Sequence, residues 1–268
     1  MLRHMESQLL FLGTSGDLSL TAERLRKSGG IIIKSGGQQI HIDPGPGALQ
    51  ESAFQGANPK DTTIIVATHN HIAHSADIPA MIAASTQQGT RQQLSIITSQ
   101  SVLEHIPRPY ILWCQNMFPA VLGKKITVKN IEIHPQQVYH NDDGAVGFKI
   151  FTPHSIIGYT GDTKYAKDVA EQYKGTDILI INVKYSRNEK SATNLTMEDA
   201  EKMIKIARPT LAILTHFGEK VHSENPLYEA REIQKNTNVQ TIVATDGLSI
   251  APESYSAKLK TKTLNLYS

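Results

Sequence analysis

Three imidazoles fall within six positions of this chain: His69, His71 and His74, in the segment Thr68-His69-Asn70-His71-Ile72-Ala73-His74-Ser75-Ala76-Asp77. His69 and His71 are two apart, so in an extended segment their rings project to the same side. His74 falls at the turn into a helical pattern. Imidazoles that converge at a strand end suit a borderline-soft divalent ion such as zinc. The plainer alternative is three solvated surface histidines. The segment directly follows the apolar run TIIVA at 63–67, which reads as a buried strand, and that placement weighs for ligands.

Four more positions share the strand-end setting. Asp162, in Gly158-Tyr159-Thr160-Gly161-Asp162-Thr163, follows a buried run, and Gly161 lets the backbone turn beside it. A carboxylate there could bridge two cations, or it could cap a helix or form an Asx-turn. His216, in Leu214-Thr215-His216-Phe217, and His140, in Val138-Tyr139-His140-Asn141-Asp142, each read alone as ordinary satisfied histidines. Asp43, in the turn Asp43-Pro44-Gly45-Pro46-Gly47, could orient ligand loops or merely shape the turn.

The elements that must position these side chains are short apolar runs and helical patterns. Strands are expected at 8–12, 30–34, 39–42, 63–67, 94–98, 126–133, 146–151, 155–159, 178–183, 211–215 and 241–245. Lys34-Ser35-Gly36-Gly37 reads as a hairpin turn. Helices are expected at about 75–88, 164–173, 196–207 and 225–235, with Thr196 and Asp199 opening one and Ser75 capping another. The order suggests two mixed α/β halves, about 1–125 and 126–255, with sheets face to face and helices outside. The stretch 107–125 is the linker between them, and the polar tail 256–268 is expected to run along the surface.

Composition narrows the function. An apolar fraction of 40% and a charged fraction of 19% belong to a globular chain. The net charge is +2, which gives no global drive toward nucleic acid or acidic membrane. One cysteine, Cys114, excludes an internal disulfide and a cysteine-rich zinc module. No apolar run approaches a membrane span, and residues 1–8 lack a signal-peptide core, so a cytoplasmic protein is expected.

Taken together, the Asp43 turn, the histidine loop at 69–74, His140, the Gly-Asp turn at 162 and His216 resemble the metallo-β-lactamase fold superfamily of hydrolases. They occur in the family order over residues 8–250. The resemblance implies a four-layer αβ/βα sandwich, one domain over 1–268, with metals where the two sheets meet. It implies one ion held by His69, His71 and His140 and a second held by His74 and His216, with Asp162 between them. Zinc is the expected ion and manganese the alternative. Within the superfamily the chain looks most like the ribonuclease Z branch and its small phosphodiesterase relatives, through Gly158–Thr163, Asn194-Leu195-Thr196-Met197-Glu198-Asp199-Ala200 and Leu214–Phe217.

Two departures follow from that resemblance. The family has Asp where this chain has Ala73, a residue that ligates the second metal and helps hold the attacking water. Alanine does neither, so the second site should be weakened and hydrolysis impaired. Ala73 reads as a natural loss, with a binding role left, or as an engineered Asp→Ala exchange, which the intact remaining positions favour. Asn194 stands where ribonuclease Z has a histidine assisting phosphate chemistry, with Asn182 as its upstream partner. An amide can hydrogen-bond a phosphoryl oxygen but cannot protonate a leaving group. The interval from His140 to Asp162 is too short for the family's tRNA-gripping arm. The expected substrate is a nucleotide, a cyclic nucleotide or a short RNA. A β-lactam or thioester hydrolase and a non-catalytic metal- or ligand-binding protein are the rivals. Lys184 and Arg187 are candidate phosphate partners. The stretch 110–118 (Tyr110, Trp113, Met117, Phe118) reads as core or as the face of a homodimer, which the branch usually forms.

Overall fold

The computed structural model describes residues 7–256. Its first sheet contains β1 (Gln8–Phe11), β2 (Ile31–Ser35), β3 (Gln38–Ile42), β4 (Thr62–Ala67), β5 (Ser95–Thr98) and β6 (Asn116–Pro119). The second contains β7 (Ile126–Val128), β8 (Ile131–Gln137), β9 (Val146–Phe151), β10 (Ile156–Tyr159), β11 (Ile178–Tyr185), β12 (Leu195–Thr196), β13 (Leu211–Thr215) and β14 (Gln240–Val243). The last strand, β15 (Ser249–Ile250), returns to the first sheet beside β1. The orders are β15-β1-β2-β3-β4-β5-β6 and β14-β13-β11-β10-β9-β8-β7, with β12 on β11.

The layers follow from period-two alternation within the apolar runs. Ile64 and Val66 of β4 turn inward, with Ile31, Ile33, Ile40 and Ile42, onto Ile133, Phe148, Ile150, Ile157, Ile178, Ile180 and Ile213 of the second sheet. Ile65 and Ala67 turn outward onto Ile78, Met81 and Ile82 of the helix Ile78–Ser85. Leu179, Ile181 and Leu214 turn outward onto Val169, Met203, Ile204 and Ile233 of three further helices. Both faces of β4, β11 and β13 are therefore buried, which is why these strands read as continuous apolar runs. Each fully buried isoleucine contributes about 1.5–3 kcal/mol by leaving water. The result is helix, sheet, sheet, helix, as expected.

Parallel pairing sets where the loops meet. β3 to β6 run parallel to one another, as do β10, β11, β13 and β14. Asp43, the 69–74 loop, Asp162 and His216 each follow the carboxyl end of one of these strands.

Several elements differ from expectation for identifiable reasons. The single strand expected at 126–133 is a hairpin, β7 paired to β8 through Lys129-Asn130, with Lys129 at φ 54°. Its apolar alternation runs unbroken through the turn, which hid it. The helix expected at 75–88 is two pieces, Ile72–Ser75 and Ile78–Ser85. Pro79 has no N–H to continue the first piece, but it is tolerated in the first turn of the second. Ser75 therefore caps nothing. Its hydroxyl donates to His71 O, and Asp77 takes the N-cap position. The linker at 107–125 contains the helix Arg108–Ile111 and β6, so the chain changes sheet only between 119 and 126. The helix Ala48–Phe54 was not anticipated. Residues 257–268 of the expected polar tail lie outside the described residues.

Candidate metal centre

Asp43 leaves β3 in the left-handed region, at φ 48°, and lies buried between the two sheets. Its carboxylate accepts four hydrogen bonds. Oδ1 accepts from Thr68 N at 2.7 Å; Oδ2 accepts from Thr68 Oγ1, His74 Nδ1 and Tyr159 OH, each at 2.8 Å. One carboxylate thus ties the histidine loop to β10 of the opposite sheet. Gly45 is required here: a Cβ at that position would collide with the carbonyls of Ala73 and Ser28. Of the two roles open to Asp43, the structure shows the orienting one.

These bonds decide the imidazole tautomers. Thr68 Oγ1 gives its proton to Asp43, so His69 Nδ1, 2.9 Å away, must donate to Thr68 Oγ1. His74 Nδ1 donates to Asp43. His140 Nδ1 donates to the Thr193 carbonyl at 2.9 Å. In all three rings Nε2 is the nitrogen left to face the cluster, the arrangement in which metal-ligating histidines are held.

The ligand atoms converge as two sets that share Asp162. His69, His71, His140 and Asp162 form one; His74, Asp162 and His216 form the other; within each set the atoms lie within 4.8 Å of one another. His71 Nδ1 is 3.0 Å from His69 Nε2 and 3.2 Å from His140 Nε2. Asp162 Oδ2 lies 3.9, 3.6 and 4.0 Å from Nε2 of His69, His74 and His140, and Oδ1 lies 3.3 Å from His216 Nε2. Gly161, at φ 57°, makes the turn that delivers Asp162, and Thr68 leaves no room for a Cβ there. His216 itself sits at φ 63°, held by Phe217 N donating to Thr14 O and Gly16 N donating to Phe217 O.

The charges fit a cation. Burial, reinforced by the neighbouring His74, holds the His69 pKa well below the ordinary histidine value, so it stays neutral. Burial and His140 lower His71 as well. At His74 burial acts downward, but Asp162 and Asp43 outweigh it and raise the pKa to about 10. Burial would raise Asp162, yet His216 and His74 hold it well below the carboxylate range. Two carboxylates thus favour positive charge at His74, whose Nε2 has no hydrogen-bond partner among the described residues. His71 can give one Nδ1 proton to only one of its two facing nitrogens, so a lone pair there meets another nitrogen. A divalent cation, if bound there, would answer both conditions and take the place of the His74 proton.

The remaining expected residues fall around this cluster. Ala73 lies in the short helix beside His74, and its methyl group places no donor atom in the site; its carbonyl accepts from Ser28 Oγ. Asn194 is buried, and its Oδ1 accepts from Thr193 Oγ1, next to the carbonyl that orients His140. Asn182 is not its partner: Asn182 Nδ2 donates to Asp162 Oδ1 at 2.8 Å and to Tyr159 OH at 3.2 Å. Arg187 is spent on Glu201 and Glu229, each at 2.9 Å, and Lys184 on Asp17 at 2.7 Å, so neither is a free phosphate partner. Tyr110, Trp113 and Met117 pack on the core beneath the outer helices, and Phe118 on the core between the sheets. A cleft of about 450 Å³ opens beside His140, lined by Tyr139, Asp142, Asp143, Lys164 and Thr193. Asp142, not singled out by sequence, accepts from Asn70 N at 2.6 Å and Ser101 Oγ at 3.0 Å and so pins the histidine loop.

The sequence profile of the β-lactamase superfamily domain matches residues 38–217. An uncharacterized protein of Methanocaldococcus jannaschii is 29% identical over 255 residues, covering 92% of this chain and 95% of that protein. A ribonuclease Z of a Bradyrhizobium species is 21% identical over 293 residues, covering 87% of this chain and 96% of that enzyme. Among solved structures, the metallo-β-lactamase fold protein YhfI from Bacillus subtilis aligns with a TM-score of 0.74 at 18% identity, over 91% of this chain and 99% of that one.

Proposed function

The chain belongs to the β-lactamase superfamily, and on that premise we propose that it is built as a metal-dependent phosphodiesterase for a nucleotide, a cyclic nucleotide or a short RNA. The observation that carries the reading is the convergence of five histidines and one aspartate as two ligand sets sharing Asp162. The likeness to ribonuclease Z supports the phosphodiester class.

In this reading His69, His71, His140 and Asp162 hold one divalent ion, zinc or manganese, and His74, Asp162 and His216 hold a second. Ions so held supply Lewis acidity toward a phosphoryl oxygen and lower the pKa of water beside them. The protein supplies the rest. Asp43, Thr68 and the Thr193 carbonyl fix which imidazole nitrogen faces the site. Asp162 sets the spacing between the two ligand sets. Asn194, beside the support of His140, offers an amide to a phosphoryl oxygen. Substrate enters through the cleft beside His140. Position 73 is where a carboxylate would orient the attacking water, and Ala73 leaves that step unsupported. Ala73 also favours a second reading, a protein that binds its ligand and a metal without turnover.

Ala73→Asp decides between them. Supplying one positioned acid or base is typically worth about 10²–10⁴ in rate. The variant should hydrolyse bis-p-nitrophenyl phosphate at least about 10² faster than the parent, near the floor of that range. The gain should require divalent metal and vanish on chelation and in the added His71→Ala change. Altered metal content with background hydrolysis would support the binding protein. A gain only on a β-lactam or a thioester would overturn the substrate class.

A further inference from the structure

The two ligand sets are unequal. Among the histidine, cysteine and carboxylate side chains of the described residues, four offer atoms to the first set and three, His74, Asp162 and His216, to the second. Zinc held as a structural or catalytic ion takes three or four protein donors, with any remaining position left to water or substrate. Beside the poorer set lies a small, partly open space of about 20 Å³ between the ends of the two sheets, lined by Ser28, Ala73, His74, Asn182, Thr215 and His216 among others. That volume holds about one oxygen-sized atom.

Two of the buried polar atoms without a hydrogen bond belong to residues lining this space: His74 Nε2 and Asn182 Oδ1. Asn182 is 2% exposed. Its orientation is fixed, because Nδ2 donates to the Asp162 carboxylate, which can only accept. The carbonyl oxygen is therefore the end left over, and burying an amide oxygen unpaired is costly. Nothing in strand pairing explains the cost: the backbone N–H of Asn182 is already satisfied by Thr160 Oγ1.

We infer that Asn182 is an oxygen ligand of the second cation, completing the set of His74, Asp162 and His216. The inference rests on the metal-centre reading above. It gives the poorer set four protein donors with no carboxylate at position 73. It also makes Asn182 bifunctional, with Nδ2 steering Asp162 and Oδ1 meeting the ion that Asp162 shares.

The test is zinc binding by calorimetry and elemental analysis on the full chain, with crystals grown in zinc. The wild-type protein should bind one ion tightly and a second more weakly. Asn182→Leu should weaken the second by about tenfold or more and spare the first. Because this change also removes the donor to Asp162, Asn182→Asp separates the roles. It keeps a ligand oxygen but not the donor, so retention of the second ion supports ligation and its loss overturns it. Anomalous scattering from the wild-type crystal needs no variant to fold: Asn182 Oδ1 should lie about 2.0–2.2 Å from the second ion. A water between them, or no second ion, overturns the role of Asn182 alone. Failure to bind any ion overturns the metal centre itself.

Discussion

At the residue scale, buried side chains away from the cluster also set how the protein responds to acid. His41 on β3 is fully buried; Nε2 donates to Gly29 O at 2.8 Å, and Nδ1 has no partner among the described residues. Burial lowers its pKa to about 4, against the upward pull of the Gly29 bond and Asp43. A base with a lowered folded pKa stays neutral in the fold and protonates on unfolding. Its contribution is full above the unfolded value of about 6.5 and is lost as pH falls toward about 4. Between pH 7 and pH 5 this one residue should cost about 2 kcal/mol of stability. Urea unfolding of the wild-type protein and His41→Gln at the two pH values should differ by that amount; equal pH slopes would contradict it. The candidate ligands were legible in the sequence by type and spacing: the three histidines of 69–74, with His140, Asp162 and His216 placed by resemblance. The roles of Thr68 and Tyr159 were not, and Asn182 was singled out only as a partner of Asn194, not of Asp162. A hydroxyl or an amide beside an apolar run has no local signature, and its partners come from strands far along the chain.

At the scale of elements, periodicity located almost every buried strand, because a chain buried on both faces must be apolar without interruption. It failed where the apolar pattern crosses a turn, at Lys129-Asn130, and where strands are short and half exposed, as at β6. Capping chemistry failed at Ser75 but held at Thr196. Thr196 accepts from Asp199 N at 3.2 Å, and Asp199 accepts from Thr196 N at 3.3 Å, a reciprocal box that opens the helix Met197–Ala207. That helix starts three residues after Asn194, so the box also anchors the segment whose Thr193 carbonyl orients His140. Thr196→Ala should cost about 1 kcal/mol in urea unfolding, and Thr196→Ser should restore most of it. A neutral Thr196→Ala would show the helix start to be held by packing alone.

At the scale of the whole molecule, the site exists only because two sheets present their strand ends at one rim, and the chain closes that rim late. Beyond β14, Asp246 accepts from Thr14 Oγ1 and Lys27 N, each at 2.8 Å, before β15 pairs with β1. Thr14 O in turn accepts from Phe217 N, beside His216. Asp246→Ala should therefore lower stability by about 2 kcal/mol, measured by urea unfolding, since hydrogen bonds to a charged acceptor are worth about 1.5–3 kcal/mol. A loss near zero would mean that the loop is held by strand pairing alone. The return of β15 to β1 joins segments at opposite ends of the described chain, and a ribosome delivers them in that order. While the rest is being made, β1 waits with a bare edge of unpaired backbone groups, the kind of surface to which other unfinished chains attach. The nascent protein should thus be most prone to aggregate just before its last strand emerges, and the metal pocket, whose His216 loop is braced by the same junction, should be among the last parts to acquire its shape.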